Sequence, residues 1–171
     1  IEVRKKWAHE VRVFEDELDR ALPDSLIERK IVQHGELLSQ RGGAFLKQGR
    51  VRRALAELLK AVAHIPDSAQ THFYTGLAHA RLDDNGRALS AFERAIALDA
   101  ERADYHYARG TTLQMLDRHE DAALCFEQAL IRQSDQAHYY YRLGESFRAL
   151  ASFDKALDAY GRAIELHSAY I

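Results

Sequence analysis

The feature that most constrains this fold is a sequence unit that occurs four times in unbroken register, with a period of about 34 residues. In each unit a glycine is followed by two alanines at fixed offsets, with a leucine or an aromatic residue between the alanines. The glycines are Gly42, Gly76, Gly110 and Gly144, and the large residues are Leu58, Phe92, Phe126 and Tyr160. Such a period indicates a row of stacked units, each burying its apolar face against its neighbour, instead of one globular core.

Each unit is predicted to contain two helices. In the second unit, helical apolar spacing covers roughly 69–82 and 87–98, and the turn-forming residues Asp83 to Gly86 lie between them. Ser68 and Ser134 precede helices and are good N-cap residues. Glycine inside a helix costs about 1 kcal/mol relative to alanine. We therefore expect the repeated glycine to permit close approach of the paired helix, whose large residue fills the space.

The second-helix pattern, A-L-S-A-F-E-R-A at 88–95 and A-A-L-C-F-E-Q-A at 122–129, resembles that of tetratricopeptide repeats. The first-helix signature is only partly kept, because the tyrosine that follows the family's glycine is replaced in every unit. The resemblance covers about four fifths of the chain. It implies an all-α, right-handed α-solenoid of helix–turn–helix repeats with an atypical N-terminal helical segment. The segment spans 1–34, and the four units span 35–68, 69–102, 103–136 and 137–170.

Both ends of the array depart from the repeat. Apolar residues spaced by four and three predict an amphipathic helix before Pro23, and Asp24–Ser25 can start a second helix that runs into the first unit. The amphipathic stripe is predicted either to cap the first unit or to form an oligomer contact through Trp7, Val11, Phe14 and Leu18. At the other end, no further unit follows Leu157, Tyr160 and Ile164. We expect either that the native protein continues or that this face is buried in an oligomer.

The resemblance implies that the first helices line a concave surface that binds ligands. The residues three positions before the glycines are expected to face this surface. They would form an aromatic row of anchors, Phe73, Tyr107 and Tyr141. The flanking residues would be Leu77, Arg81, Thr111, Gln114, Glu145 and Arg148. A phase error of one residue would place the row in the core, where the neighbouring Tyr74, Tyr105, Tyr139 and Tyr140 are expected to pack.

One group of these repeats binds the C-terminal carboxylates of chaperones through lysine, arginine and asparagine. At the positions of those residues this chain has Ser39, Gly43, Asp104 and Ala108. A chaperone tail is therefore not the expected ligand.

Catalytic and metal-binding motifs are missing from the sequence, so we expect no catalytic residues, no metal and no cofactor. His72 and His106 share a register, but adjacent helices lie about 8–10 Å apart, too far for both to bind one zinc ion. The single cysteine, Cys125, is expected to be a small buried thiol. It is also compatible with a reducing compartment, so we expect a cytoplasmic location.

The charge pattern argues against polyanion binding. The net charge of −2 disfavours nucleic acid as a partner, although small basic clusters occur at Arg4–Lys6 and at Lys47 with Arg50, Arg52 and Arg53. No run of about 18 apolar residues is present, so no membrane span is expected.

These observations predict a non-catalytic scaffold that binds a peptide or protein segment in a concave groove. Two alternatives remain open. In the first alternative, the array is a scaffolding or targeting segment of a larger multidomain enzyme, by analogy with bacterial glycosyltransferases that carry such repeats. In the second it is an oligomerisation module that acts through the N-terminal helix or the uncapped C-terminal end.

Overall fold

The computed structural model describes residues 24–168, and these residues form eight α-helices and no strand. The helices are α1 (Asp24–Lys47), α2 (Val51–His64), α3 (Ala69–Ala80), α4 (Asn85–Leu98), α5 (Ala103–Met115), α6 (His119–Arg132), α7 (Ala137–Ala149) and α8 (Phe153–Ser168). Each odd-numbered helix pairs with the helix that follows it, and each pair stacks on the next. This is the predicted all-α solenoid of helix–turn–helix units.

The N-terminal predictions are divided by the limit of the described residues. Helix α1 starts at Asp24 and runs without interruption into the first unit, as expected. The amphipathic stripe with Trp7, Val11, Phe14 and Leu18 lies outside the described residues, as does the basic cluster Arg4–Lys6. Within 24–168, no helix is both long and apolar enough to cross a bilayer.

At each repeated glycine the first helix of a unit contacts the large residue of the second helix. A Cβ atom built on Gly76 would lie 2.5 Å from Cε1 of Phe92, and one on Gly110 would lie 2.8 Å from Cε1 of Phe126. The same relation joins Gly42 to Leu58 and Gly144 to Tyr160. The large residue therefore occupies the space that a side chain would need, which confirms the predicted small-to-large packing and offsets the weak helix propensity of glycine.

Small residues on the second helices complete the core. Both repeated alanines are fully buried in the first three units, and in the fourth they remain buried at the end of the array. The positions are Ala54, Ala61, Ala88, Ala95, Ala122, Ala129, Ala156 and Ala163. Because these side chains are small, the first helix of the next unit can approach closely.

The turn inside each unit repeats with the same backbone geometry. Gly49, Asp83, Asp117 and Ala151 occupy the same position in successive units and have φ of 72°, 59°, 56° and 54°. This left-handed conformation strains any residue with a Cβ, and Ala151 has no polar side chain to compensate.

The N-cap predictions had mixed outcomes. The side chain of Ser68 accepts a hydrogen bond from the Thr71 amide at 3.3 Å, as predicted for an N-cap. The prediction for Ser134 was wrong, because α7 begins at Ala137 with Gln136 as its N-cap and no side-chain cap.

Candidate functional site

The four first helices, α1, α3, α5 and α7, contact one another in sequence along the array. We call the surface that they form the first-helix surface. A buried hydrogen bond joins α3 to α1, where the hydroxyl of Thr71 donates to that of Ser39 at 2.9 Å. Such links fix neighbouring units relative to each other, so the surface is preorganised.

The predicted aromatic row lies at the junctions between units. The ring of Phe73 is 4.7 Å from that of Tyr105, and the ring of Tyr107 stacks on Tyr139 at 4.8 Å. In both cases the two rings belong to successive first helices. The ring on the later helix is carried by the residue two positions before the repeat equivalent of the first residue. Phe73 and Tyr107 are half-buried as a result, whereas Tyr105 and Tyr139 are buried, as predicted for residues between helices.

Tyr141 is the exposed member of the row. No first helix follows α7 in the described part of the chain, and Tyr141 is 51% exposed. Its nearest ring is that of Tyr160 on the paired helix, at 5.8 Å. The row therefore combines two residues that link units with one that faces outward.

Two of the predicted polar residues connect neighbouring first helices. The guanidinium of Arg81 donates to the carbonyl oxygen of Leu46 at 2.7 Å, which satisfies a carbonyl in the last turn of α1. The amide of Gln114 donates to the carbonyl oxygen of Arg142 at 2.9 Å and to the hydroxyl of Ser146 at 2.8 Å. Arg81 is exposed and retains further donors, while Gln114 is half-buried.

The other predicted residues are bound within their own unit or pack in the core. Thr111 donates its hydroxyl to the carbonyl oxygen of Tyr107 at 3.0 Å, one helical turn earlier on α5. Leu77 is half-buried and packs against the core beside Ala88 and Phe92. Met115, next to Gln114 at the end of α5, is an exposed apolar side chain.

Glu145 forms a polar cluster at the last unit. Its carboxylate accepts a hydrogen bond from Arg148 at 3.1 Å and another from the hydroxyl of Tyr160. Hydrogen bonding by Arg148, and then by Tyr160, lowers the pKa of the Glu145 carboxyl. This cluster keeps a carboxylate and a guanidinium together beside the exposed ring of Tyr141.

The histidines that share a register have a structural role. The Nε2–H of His72 donates to the carbonyl oxygen of Pro66 at 2.7 Å, and that of His106 donates to Ala100 at 3.1 Å. Burial lowers the pKa of His106, which favours its neutral form. No group of three potential metal ligands comes together within residues 24–168.

The Cys125 thiol is buried beside Ala159, and burial raises its pKa. A guanidinium nitrogen of Arg109 lies 3.3 Å from its sulfur. Because the reactive form of cysteine is the thiolate, these surroundings are those of a packing residue.

Comparison with solved structures gives the same architecture. A crystal structure of MamA aligns with a TM-score of 0.77 at 23% identity, covering 84% of this chain and 86% of MamA. A MamA fragment from Desulfovibrio magneticus RS-1 aligns with a TM-score of 0.72 at 22% identity, covering 78% and 75% of the two chains. The first TPR of RPAP3 (Spaghetti), bound to the HSP90 peptide SRMEEVD, aligns with a TM-score of 0.68 at 24% identity, covering 70% of this chain and 94% of RPAP3's. At these identities the likeness shows the fold alone.

Sequence comparison identifies the family. No curated protein matches the chain. The tetratricopeptide repeat profile, in contrast, matches residues 40–103, 76–123 and 107–170, overlapping windows that together span all four glycines. With the repeated glycine contacts and the stacked helix pairs, this match shows that the chain belongs to the tetratricopeptide repeat family.

Proposed function

We propose that this protein is a non-catalytic scaffold that binds a peptide or protein segment along the first-helix surface. The observation that carries the proposal is the continuous series of first helices, held in register by bonds between units such as Thr71 to Ser39. A surface fixed in this way loses little conformational entropy on binding, so more of the contact energy appears as affinity.

The exposed side chains of this surface suit a segment with mixed chemistry. Tyr141 and Met115 offer apolar contacts. Arg81 offers guanidinium donors at the second unit, and Arg148 offers them at the fourth unit beside the carboxylate of Glu145. Phe73 and Tyr107 would present ring edges from the junctions. Aromatic and arginine side chains are the residue types that most often dominate binding energy at protein interfaces.

The ligand proposed here is not a chaperone tail. Among the solved structures, the RPAP3 repeat is bound to an HSP90 peptide that ends in acidic residues. In this chain Asp104 occupies a clamp position and is paired with Arg102 at 2.8 Å, while Ser39 is buried and bonded to Thr71. The clamp positions Ser39, Gly43, Asp104 and Ala108 supply no cation for a carboxylate, so the peptide SRMEEVD is expected to show no saturable binding.

The proposal is tested with two matched substitutions. Thr111 on α5 and Ser90 on α4 both donate their hydroxyl to a carbonyl one helical turn earlier, so Thr111→Glu and Ser90→Glu remove the same kind of bond. Thr111 is half-buried and Ser90 is exposed, so circular dichroism of both variants is the check that each still folds. Only Thr111 lies on the first-helix surface. Peptides selected from a random displayed library against the wild-type chain should lose at least about tenfold in affinity for Thr111→Glu, because a charge would be buried without a partner.

Binding to Ser90→Glu should be unchanged. If the selected peptides bind both variants equally, or lose affinity only for Ser90→Glu, then the first-helix surface is not the binding site. A library that yields no specific binder would also contradict the proposal.

A further inference from the structure

An apolar groove lies at the end of the array, on the far side of α7 and α8. It has a volume of about 590 Å³ and is almost entirely apolar. Tyr141 is 51% exposed and Ile164 is 68% exposed, and both line this one contiguous apolar groove. The lining residues are Ala137, His138, Tyr141, Tyr160, Ala163, Ile164 and His167.

The preceding unit contains the same groove in a filled form. Ala137, Tyr141, Ala163 and Ile164 are the equivalents, one repeat later, of Ala103, Tyr107, Ala129 and Leu130. Those four earlier residues surround the buried ring of Tyr139, which α7 inserts between them. The terminal groove is therefore shaped to accept an aromatic ring carried by a helix.

The side chains that α7 buries in the filled groove indicate which side chains an occupant of the terminal groove needs. Along α7, Tyr139, Leu143 and Ser146 are all buried, at positions 0, +4 and +7 of one helix face. An aromatic residue therefore leads, and apolar or small residues follow after four and seven positions.

The N-terminal segment of this chain has the same leading aromatic residue and the same spacing of apolar residues. Trp7, Val11 and Phe14 follow one another at 0, +4 and +7, within residues 3–22 that the sequence predicts to form an amphipathic helix. We propose that this segment of one copy docks into the terminal groove of a second copy, with an aromatic ring in the position that Tyr139 holds inside the chain.

The geometry favours a second copy over docking within one chain. Residues 3–22 join α1 through Pro23, whereas the groove lies beyond α7, three first helices away or roughly 25–30 Å at the usual helix spacing. A helix of about 20 residues is only about 30 Å long, so it cannot both cross this distance and lie along α7. Head-to-tail contacts of this kind leave one free segment and one free groove after each addition, so the expected product is larger than a dimer, either an open chain or a closed ring of copies.

The experiment uses the full chain and two blocking variants. In sedimentation velocity, the wild type should grow with concentration from the 19.5 kDa monomer to at least twice that mass. Trp7→Glu removes the docking ring, and Ile164→Glu puts a charge into the groove, so each should weaken association at least about tenfold. Ile131→Glu, at a residue of α6 that is 74% exposed outside the groove, is the matched control and should assemble like the wild type.

An equimolar mixture of the two variants gives the sharpest result. Trp7→Glu keeps its groove and Ile164→Glu keeps its segment, so the mixture should form a dimer and grow no further. Trp7 is the only tryptophan, so its fluorescence in Ile164→Glu should shift to shorter wavelength when Trp7→Glu is added.

Two results would overturn the proposal. One is a wild type that stays monomeric at every concentration, and the other is association that Ile164→Glu abolishes while Trp7→Glu leaves it intact. The second result would indicate a groove-to-groove dimer. Circular dichroism and urea unfolding of all variants test whether misfolding is the cause of a lost association. Ile164→Glu is expected to fold, because Ile164 is mostly exposed.

Discussion

Tyr107 and Tyr141 occupy equivalent positions in successive units but differ in their surroundings, which allows the stacking between units to be measured. Tyr107 contacts three rings, those of Phe126, His138 and Tyr139, at 5.7, 5.0 and 4.8 Å. Tyr141 contacts one ring at 5.8 Å and is half in solvent. We expect Tyr107→Ala to destabilise the protein far more than Tyr141→Ala.

The magnitude follows from burial. Replacing a fully buried aromatic residue by alanine costs about 3–5 kcal/mol, so the half-buried ring of Tyr107 should account for about 2 kcal/mol. Ring pairs add about 0.5–1.5 kcal/mol beyond burial, which gives about 2.5–3.5 kcal/mol in all. Tyr141→Ala should cost less than about 1 kcal/mol.

Urea unfolding followed by circular dichroism gives both values. At a typical denaturant slope, the midpoint for Tyr107→Ala should fall by about 1 M, and that for Tyr141→Ala by much less. If the two variants lost the same free energy of unfolding, the stacking of each first helix on the next would not be what buries Tyr107.

Two further predictions concern the turn and the polar cluster of the last unit. Ala151→Gly should raise the free energy of unfolding by about 0.5–1 kcal/mol, because it relieves the strain of positive φ. Gly49→Ala, at the equivalent turn, should lower the free energy of unfolding. Urea midpoints that moved in the same direction in both variants would contradict this. The Glu145 pKa is lowered in the folded protein, so its stabilising contribution is complete above the unfolded pKa of about 4.3 and is lost as the pH falls through the folded pKa. The stability difference between wild type and Glu145→Gln should therefore be largest above about pH 5 and close on acidification; a difference independent of pH would show that the bonds to Arg148 and Tyr160 do not depend on charge.

The fold could be predicted because one steric cause repeats. Each glycine faces a large residue such as Phe92 or Phe126 at the same offset, so four copies of a weak signal reinforce one another. The turns were also predictable in position, since Asp83 and Asp84 are turn-forming residues. The boundaries of individual helices were less predictable, as Ser134 shows. Ser68 does form a cap, but its equivalent two units later is Gln136, so the repeat register places the N-cap two positions after Ser134.

The candidate site was only partly visible in the sequence. The repeat places Phe73 and Tyr107 on first helices, but the rings they meet, those of Tyr105 and Tyr139, are not their equivalents in the next unit. That offset depends on how successive helices slide past one another, and no single unit encodes it. The hydrogen-bond partners of Arg81 and Gln114 could not be predicted for a related reason. Their long side chains reach backbone carbonyls on the neighbouring first helix.

The sequence predicted apolar side chains without a packing partner at the C-terminal end of the array. Leu157 and Ile164 are 69% and 68% exposed, as expected, whereas Tyr160 is half-buried and its ring lies 5.8 Å from that of Tyr141. The similarity between the groove and the filled site around Tyr139 required coordinates, because it depends on which residues of α7 are buried.

The central claim is that a missing side chain on the first helix makes room for a large one on the second. A double-mutant cycle at Gly76 and Phe92 tests it most directly by urea unfolding. In the wild-type background, Gly76→Ala should destabilise the protein, because the new Cβ would lie 2.5 Å from the buried ring. In the Phe92→Ala background, the same substitution should stabilise it by up to about 1 kcal/mol, since only the helix propensity of alanine remains. The same sign in both backgrounds would contradict the claim.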